Sequence, residues 1–382
     1  MRNVIIFYPG FAHRGGGVMR HVDHFRQSLD KMGIGNKLFS LDNAPVPFCF
    51  MPRLLRIVIN LVFPPWGAWA QEALVTRMFQ GWYYWKRNGR SYDGVVFESI
   101  YAAFKTKQPS LIMLHALLSD NVQDDVKSGQ SLSLFRKKEK QIFIKQYEHH
   151  EIITVSERYK QWIVESLDLP QNISLNVVNL GIDTEPFRIF PPKRKGNDSG
   201  PVRLLACPGF FNARKNTCFL LELVDYLLEK KIDFQLHLAG AGGQEQRLKS
   251  LVLEKKMSNC VKFLGRVQPN DIPKLMSTYH ILLHPSLKES FSYTLLEAKF
   301  ANLITLASKD LEIPDDFIDY PLDLRVEDWG KTIQKIIKTQ QLTINNQIFF
   351  EKYNSNIMTT QILKKLDLEI VKSKHQDVPI SS

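Results

Sequence analysis

Cysteine is scarce. Four occur in 382 residues, Cys49, Cys207, Cys218 and Cys260, and no two of them form a CxxC pair. That excludes a zinc ribbon and a disulfide scaffold, and it is the cysteine usage of a reducing compartment. Long apolar runs are missing as well. A membrane-spanning helix needs roughly 18 or more uncharged apolar residues. The nearest approach, residues 54–70, is broken by Arg56, Asn60 and Pro64-Pro65. The apolar run at 4–8 stops at Pro9-Gly10, short of the roughly 7–15 residues of an export signal. The expectation is a cytoplasmic chain that is soluble or lies on the inner face of a membrane. Neither GxGxxG nor GxxxxGK[ST] occurs, so neither the dinucleotide fingerprint nor the P-loop is supported. No DxD metal site stands out: Asp124-Asp125 lies in a polar stretch that reads as a loop. No repeat with a period of about 20–50 residues is present.

What is there is globular. Hydrophobic residues make up 44% and charged residues 23%, which excludes a disordered, collagenous or coiled-coil rod. Lys and Arg number 50 against 39 Asp and Glu, a net charge of +11 that permits acidic partners. Residues 191–200, with Pro191-Pro192, Gly196 and Gly200, are polar and carry no apolar period, and they read as a linker between two halves of domain size. Both halves alternate short apolar runs with helical periods. Strands are expected near 3–8, 37–41, 94–97, 111–114 and 152–155, then 203–207, 235–239, 261–264, 281–284 and 303–306. Helices are expected over 18–31, 217–230, 244–254, 271–278, 292–300, 333–337 and 361–370, with a frayed polar end over 373–382. Buried strands alternating with helices predict an α/β chain of two doubly wound parallel sheets facing a central cleft. Ligands of such sheets sit beyond the carboxyl ends of the strands.

Three stretches carry candidate chemistry. Gly15-Gly16-Gly17 stands between the first strand and its helix, where glycine lets a phosphate approach the backbone. A plain flexible turn explains it equally well. Arg214-Lys215 follows the strand at 203–207 and precedes a helix, so paired cations and a helix N-terminus could neutralise a diphosphate. Alone, the pair also fits a solvated loop. The strongest stretch runs from Pro285 to Ala298. Ser292 is a good helix cap whose helix would offer free N–H groups to an anion. Glu289 lies before that helix and Glu297 inside it, and carboxylates accept hydrogen bonds from sugar hydroxyls. Either glutamate by itself is more readily an ordinary capping or surface acid.

Taken in order, these residues resemble retaining glycosyltransferases of family four, which have the GT-B fold. The E-x7-E pattern is Glu289…Glu297, as ESFSYTLLE. Around it stand Leu238–Gly242, Phe263-Leu264-Gly265-Arg266-Val267, His284-Pro285-Ser286, Thr154-Val155-Ser156-Glu157 and Asn179–Asp183. The resemblance is strong over about 150–307 and weak over 41–110. It implies a catalytic set of Glu289, Lys215 and His115. Glu289 would hold donor-sugar hydroxyls, Glu297 the ribose, and Lys215 with Arg214 the diphosphate. Gly16, Gly17, Ser292, Tyr293 and Thr294 would add backbone N–H groups. Gly265 and Val267 would border the nucleobase, and His115 would lie near the sugar. It further implies Rossmann-like domains over 1–190, receiving the acceptor, and 201–355, binding a nucleotide-diphosphate sugar. A helix within 356–382 would return to the first domain. The donor is a substrate; no resident cofactor and no metal is implied. Two departures stand out: Phe210 occupies a position where relatives often have arginine, and Ser290 and Ser292 replace the glycines of an EGFG motif.

Residues 41–92 contain Trp66, Trp69, Trp82 and Trp85 with six basic residues and only Asp42 and Glu72 as acids. Aromatic and basic side chains together suit an anionic membrane surface, so a glycan or lipid-linked acceptor at that surface is expected. Surface polysaccharide or lipopolysaccharide synthesis fits that expectation. Three rivals come from other classes: a catalytically inactive GT-B-shaped interaction protein, a basic nucleic-acid binder and a Rossmann oxidoreductase. No nucleic-acid motif accompanies the charge, and no nucleic-acid partner is expected.

Overall fold

The computed structural model describes residues 2–12, 16–43, 51–62, 67–85, 92–122, 129–192, 200–339 and 346–368. Gly15, Trp66, Asp124-Asp125, most of the linker at 193–199 and the end of the chain from 369 lie outside them. Twelve strands are present among the described residues. They are β1 Asn3–Phe7, β2 Gly35–Phe39, β3 Gly94–Phe97, β4 Ser110–Leu114, β5 Glu151–Thr154 and β6 Asn176–Val177. Then come β7 Val202–Phe210, β8 Phe234–Ala241, β9 Val261–Gly265, β10 Ile281–His284, β11 Ile304–Ser308 and β12 Tyr320–Leu322. They form two six-stranded sheets, in the orders β2-β1-β3-β4-β5-β6 and β12-β11-β10-β7-β8-β9. Pairing is parallel at β1 with β2 and β3, and at β10 with β7 and β11. By contacts the chain divides into one compact unit of residues 1–153 with 356–382, and another of 154–355.

The apolar runs form strands because both of their faces are covered. β1 buries Val4, Ile5, Ile6 and Phe7 completely, and β10 buries all four of its residues. In the first unit Phe7 is the hub of an aromatic cluster with Phe39, Phe79, Phe97 and Phe104, all at ring-centroid distances of 5.3–5.9 Å. Offset and edge-on pairs of this kind add about 0.5–1.5 kcal/mol each beyond area burial. In the second unit the core gathers on Trp329, fully buried against Phe219, its indole N–H given to the Asp323 carbonyl at 2.8 Å. β7 bulges between Ala206 and Gly209 and then resumes its pairing with β8, Gly209 opposite Gly240. Gly242, just past β8, has φ +152, and a Cβ there would stand 2.8 Å from the Phe211 nitrogen, so only glycine fits the turn.

The basic, aromatic segment departs from its expected role in part. Trp69 is buried against Tyr101 and Phe135 and so serves the core rather than a surface, while Trp82 is half-buried and stacks on Phe39 at 3.9 Å. A row of exposed apolar side chains lies instead on the helix Met51–Val62, which leaves Met51, Leu54, Ile57 and Val58 41–61% exposed beside an exposed Arg56. No helix among the described residues is long and apolar enough to cross a membrane. The helix Ser355–Lys365 closes the described chain, and Asn356 accepts a 2.7 Å hydrogen bond from Ser28 of the helix Gly17–Lys31.

Candidate functional site

In the second unit the candidate residues follow the carboxyl ends of β7 and β10, which are next-door strands. After β7 the chain makes a short 3-10 turn over Ala213–Lys215. It is capped by the Asn212 side chain, which accepts the Lys215 backbone N–H at 3.0 Å. Asn216 follows in the left-handed region at φ 50, a conformation asparagine tolerates, and starts the next helix. That turn aims Lys215 at the loop after β10, where its ammonium meets Glu289 Oε1 at 2.5 Å.

The loop carrying Glu289 is fastened on both sides. The Leu287 N–H donates to the Arg214 carbonyl at 2.8 Å, and the Glu312 N–H donates to the Glu289 carbonyl at 3.0 Å. The Ser156 hydroxyl completes the tie, giving its proton to the Glu312 carbonyl at 2.6 Å. Backbone hydrogen bonds from two different segments therefore set the position of this carboxylate. A site held in this way needs little reorganisation when a ligand arrives.

Glu289 is 7% exposed and His284, the last residue of β10, is 3% exposed. Burial alone would raise the Glu289 carboxyl. The Lys215 ammonium, then His284 and Arg214, more than reverse that and hold it well below the usual carboxylate range. Burial pushes the His284 imidazole down, against the opposing pull of Glu289. Its Nε2 lies 3.6 Å from Glu289 Oε1 and 3.5 Å from the Ser292 hydroxyl. The cluster is thus an ionised acid fixed between an ammonium and an imidazole, a strong acceptor for hydroxyl donors.

Ser292 caps the helix Tyr293–Phe300, its hydroxyl accepting the Leu295 N–H at 3.3 Å. Its backbone is extended, with φ −124, and neither Ser290 nor Ser292 needs positive φ. The loss of glycine at these two places therefore carries no backbone strain. Thr294 ties the helix start to β7 through the Cys207 carbonyl at 3.2 Å. Glu297 lies on this helix, 3% exposed. The other departure, Phe210, ends β7 with its ring 60% exposed, while Arg214 lies near enough to Glu289 and His284 to act on both. Gly265 closes β9, two strands from β7, with Val267 half-buried just beyond it.

The remaining sequence candidates lie in the first unit. Gly16, at φ +113, precedes Gly17, the first residue of its helix. Among the described residues, a Cβ on either would meet nothing within 4 Å. His115 directly follows β4, and its Nε2 bonds Glu98 Oε2 at 2.7 Å. Burial alone would raise the Glu98 carboxyl; His21 foremost, then His115, bring it down to about 2. Sequence reading placed no function on His284, His21 or Glu98. His284 ends a strand at the carboxyl edge and His21 faces inward one turn into its helix, which was the available signal. Glu98 carried none.

Residues 192–321 match the family model described as Glycosyl transferases group 1. The chain as a whole has the GT-B fold. It superposes on sucrose-phosphate synthase from Thermosynechococcus elongatus with a TM-score of 0.70 at 14% identity, over 95% of this chain and 98% of the other. HepE of Anabaena, solved with UDP and glucose, gives 0.62 at 15% identity over 96% of this chain and 100% of the other. Among curated sequences, the amylovoran biosynthesis glycosyltransferase AmsK of Erwinia amylovora is 25% identical over 37% of this chain and 35% of its own length. The matches to such relatives span about a quarter to a half of each relative's length, 26% to 50%.

Proposed function

We propose that this protein is a retaining glycosyltransferase that moves a sugar from a nucleotide-diphosphate sugar to a hydroxyl of a glycan or lipid-linked acceptor. The observation that carries the reading is the buried ion pair of Lys215 with Glu289, flanked by Arg214, His284 and the Ser292 cap at one strand edge. Breaking a sugar–diphosphate bond builds negative charge on the leaving phosphate and positive character on the sugar. Lys215, Arg214 and the N–H groups of the helix start stabilise the first, and the ionised Glu289 holds hydroxyls of the second. The positive field at the phosphate comes from the chain itself, and the reading invokes no metal there. Glu297 takes the ribose. Gly265 and Val267 border the base. The acceptor hydroxyl attacks from the face the diphosphate leaves, which retains configuration.

HepE was solved with UDP and glucose, which makes UDP-glucose the first donor to try. The test is thermal unfolding with UDP-, GDP- and ADP-sugars and with NAD(P)H. One sugar nucleotide is expected to raise Tm in the wild type and leave Glu297→Ala unchanged. Stabilisation by NAD(P)H alone would overturn the reading.

The acceptor reading places the enzyme at the inner face of an anionic membrane, in surface polysaccharide or lipopolysaccharide synthesis. Two features support it: the exposed row Met51, Leu54, Ile57 and Val58 beside Arg56, and the amylovoran role carried in the name of AmsK. Leu54→Asp combined with Ile57→Asp is expected to reduce flotation with anionic vesicles severalfold and to spare thermal stability, because both side chains are exposed. Flotation unchanged by the double substitution, or absent in the wild type, counts against it.

A further inference from the structure

We propose that His21, Glu98 and His115 form a binding site for one divalent cation of borderline softness, Zn2+ foremost. This site is separate from the residues assigned to the diphosphate; it takes in His115, which the sequence resemblance puts near the sugar, and zinc binding there does not depend on the glycosyltransferase reading.

The three residues come from three elements of the first unit. His21 lies one turn into the helix Gly17–Lys31, Glu98 directly follows β3, and His115 directly follows β4. β3 and β4 pair in parallel, Phe97 opposite Ile112, so their carboxyl ends emerge side by side. The His21 and Glu98 side chains are fully buried and that of His115 is 11% exposed. One ligating atom from each residue lies within 4.8 Å of the others.

These distances are close to those of a coordination shell. Bonds of about 2.0–2.2 Å in a tetrahedron hold ligand atoms roughly 3.3–3.5 Å apart. Glu98 Oε2 is 2.7 Å from His115 Nε2, and Glu98 Oε1 is 3.5 Å from His21 Nε2. Side-chain rotation by less than about an ångström converts one arrangement into the other on those bond lengths. The His21 ring is already held parallel to Phe25, 7° between planes at 6.0 Å.

A second observation points to a missing partner. Glu98 Oε1 and His21 Nε2 are buried facing each other at 3.5 Å without forming a hydrogen bond, and His21 Nδ1 is buried with no hydrogen-bond partner. Buried polar atoms are normally paired, and a carboxylate oxygen left unpaired in an apolar interior is costly. A cation satisfies Glu98 Oε1 and His21 Nε2 together and replaces the proton that His115 Nε2 now gives to Glu98. Two imidazoles and one carboxylate suit zinc far better than the oxygen-loving Mg2+ or Ca2+, and they leave a fourth position for water. The bound ion would tie the first helix to the ends of two central strands.

The test uses the full chain, purified without a polyhistidine tag, loaded with Zn2+, dialysed, and assayed by mass spectrometry for metal. Retention of about one zinc per chain is expected. EDTA is expected to lower Tm, and Glu98→Gln and His21→Gln are each expected to lose the metal while keeping a native circular dichroism spectrum. Wild-type protein that retains no zinc, or zinc retained in both folded variants, overturns the proposal. If the variants fail to fold, zinc-edge X-ray absorption of the wild type decides. A shell of two imidazoles with oxygen supports the site, and a thiolate in the shell overturns it.

Discussion

Lys215→Ala is expected to lower kcat on the order of 10²–10³-fold, the cost of removing one preorganised charge from a developing anion. Two effects act together. The leaving phosphate loses the ammonium that meets it as the bond breaks. Glu289, only 7% exposed, loses the cation that chiefly keeps it ionised, so its carboxyl rises and its capacity to accept sugar hydroxyls weakens. The KM for the donor is expected to move much less than kcat, because the charge matters most in the transition state. Lys215→Arg, which restores the charge with a different shape, is expected to recover part of the rate. Steady-state kinetics with the donor selected by thermal shift checks this. A variant within about threefold of wild-type kcat would show that Lys215 does not act on the leaving group.

Glu289→Gln is expected to abolish most turnover and also to destabilise the fold. The substitution keeps the shape and removes the charge, leaving the Lys215 ammonium in a largely enclosed place without its partner. Breaking a fully buried pair costs roughly 3–5 kcal/mol. Lys215 keeps 15% of its side chain in solvent, so about 2 kcal/mol is the better figure here. The pH dependence follows from the same pair. Glu289 has a folded pKa below its unfolded one, so its stabilisation is present above the ordinary glutamate value of about 4.3 and fades as pH falls below it. Wild type is therefore expected to lose Tm on acidification over that range more steeply than Glu289→Gln. Lys215→Met in the Glu289→Gln background is expected to restore stability without restoring activity. Parallel acid limbs for the two proteins would mean that Glu289 is not ionised in the fold.

Much of this architecture was legible because parallel strands covered on both faces appear as unbroken apolar runs. β3 and β10 match their expected bounds residue for residue, β1 differs by one residue at its end, and β5 by one residue at each end. The misses have physical causes. β2 begins at Gly35-Asn36, poor strand formers, because pairing of Asn3 with Gly35 extends the ladder there. β7 runs on through Pro208-Gly209, which reads as a stop, because a bulge lets the strand resume opposite Gly240. β12 is an edge strand containing Pro321, tolerated because its N–H side needs no partner. At the site, the charge pattern pointed to Lys215 and Glu289 separately, but their 2.5 Å contact comes from a loop clamped by Arg214 and Glu312, which no local pattern encodes. Trp69 is packed inside and does not serve the expected aromatic membrane face, because composition cannot tell a packed tryptophan from an exposed one.

The most direct test of the central claim is a crystal structure of the protein with the bound nucleotide sugar, or with UDP if that donor is selected. The account expects the diphosphate within hydrogen-bond distance of Lys215 Nζ and the N–H groups at the start of the helix Tyr293–Phe300, with Glu297 on the ribose hydroxyls and Glu289 on the sugar. A diphosphate bound away from Lys215, with both glutamates out of reach of the ligand, would contradict it.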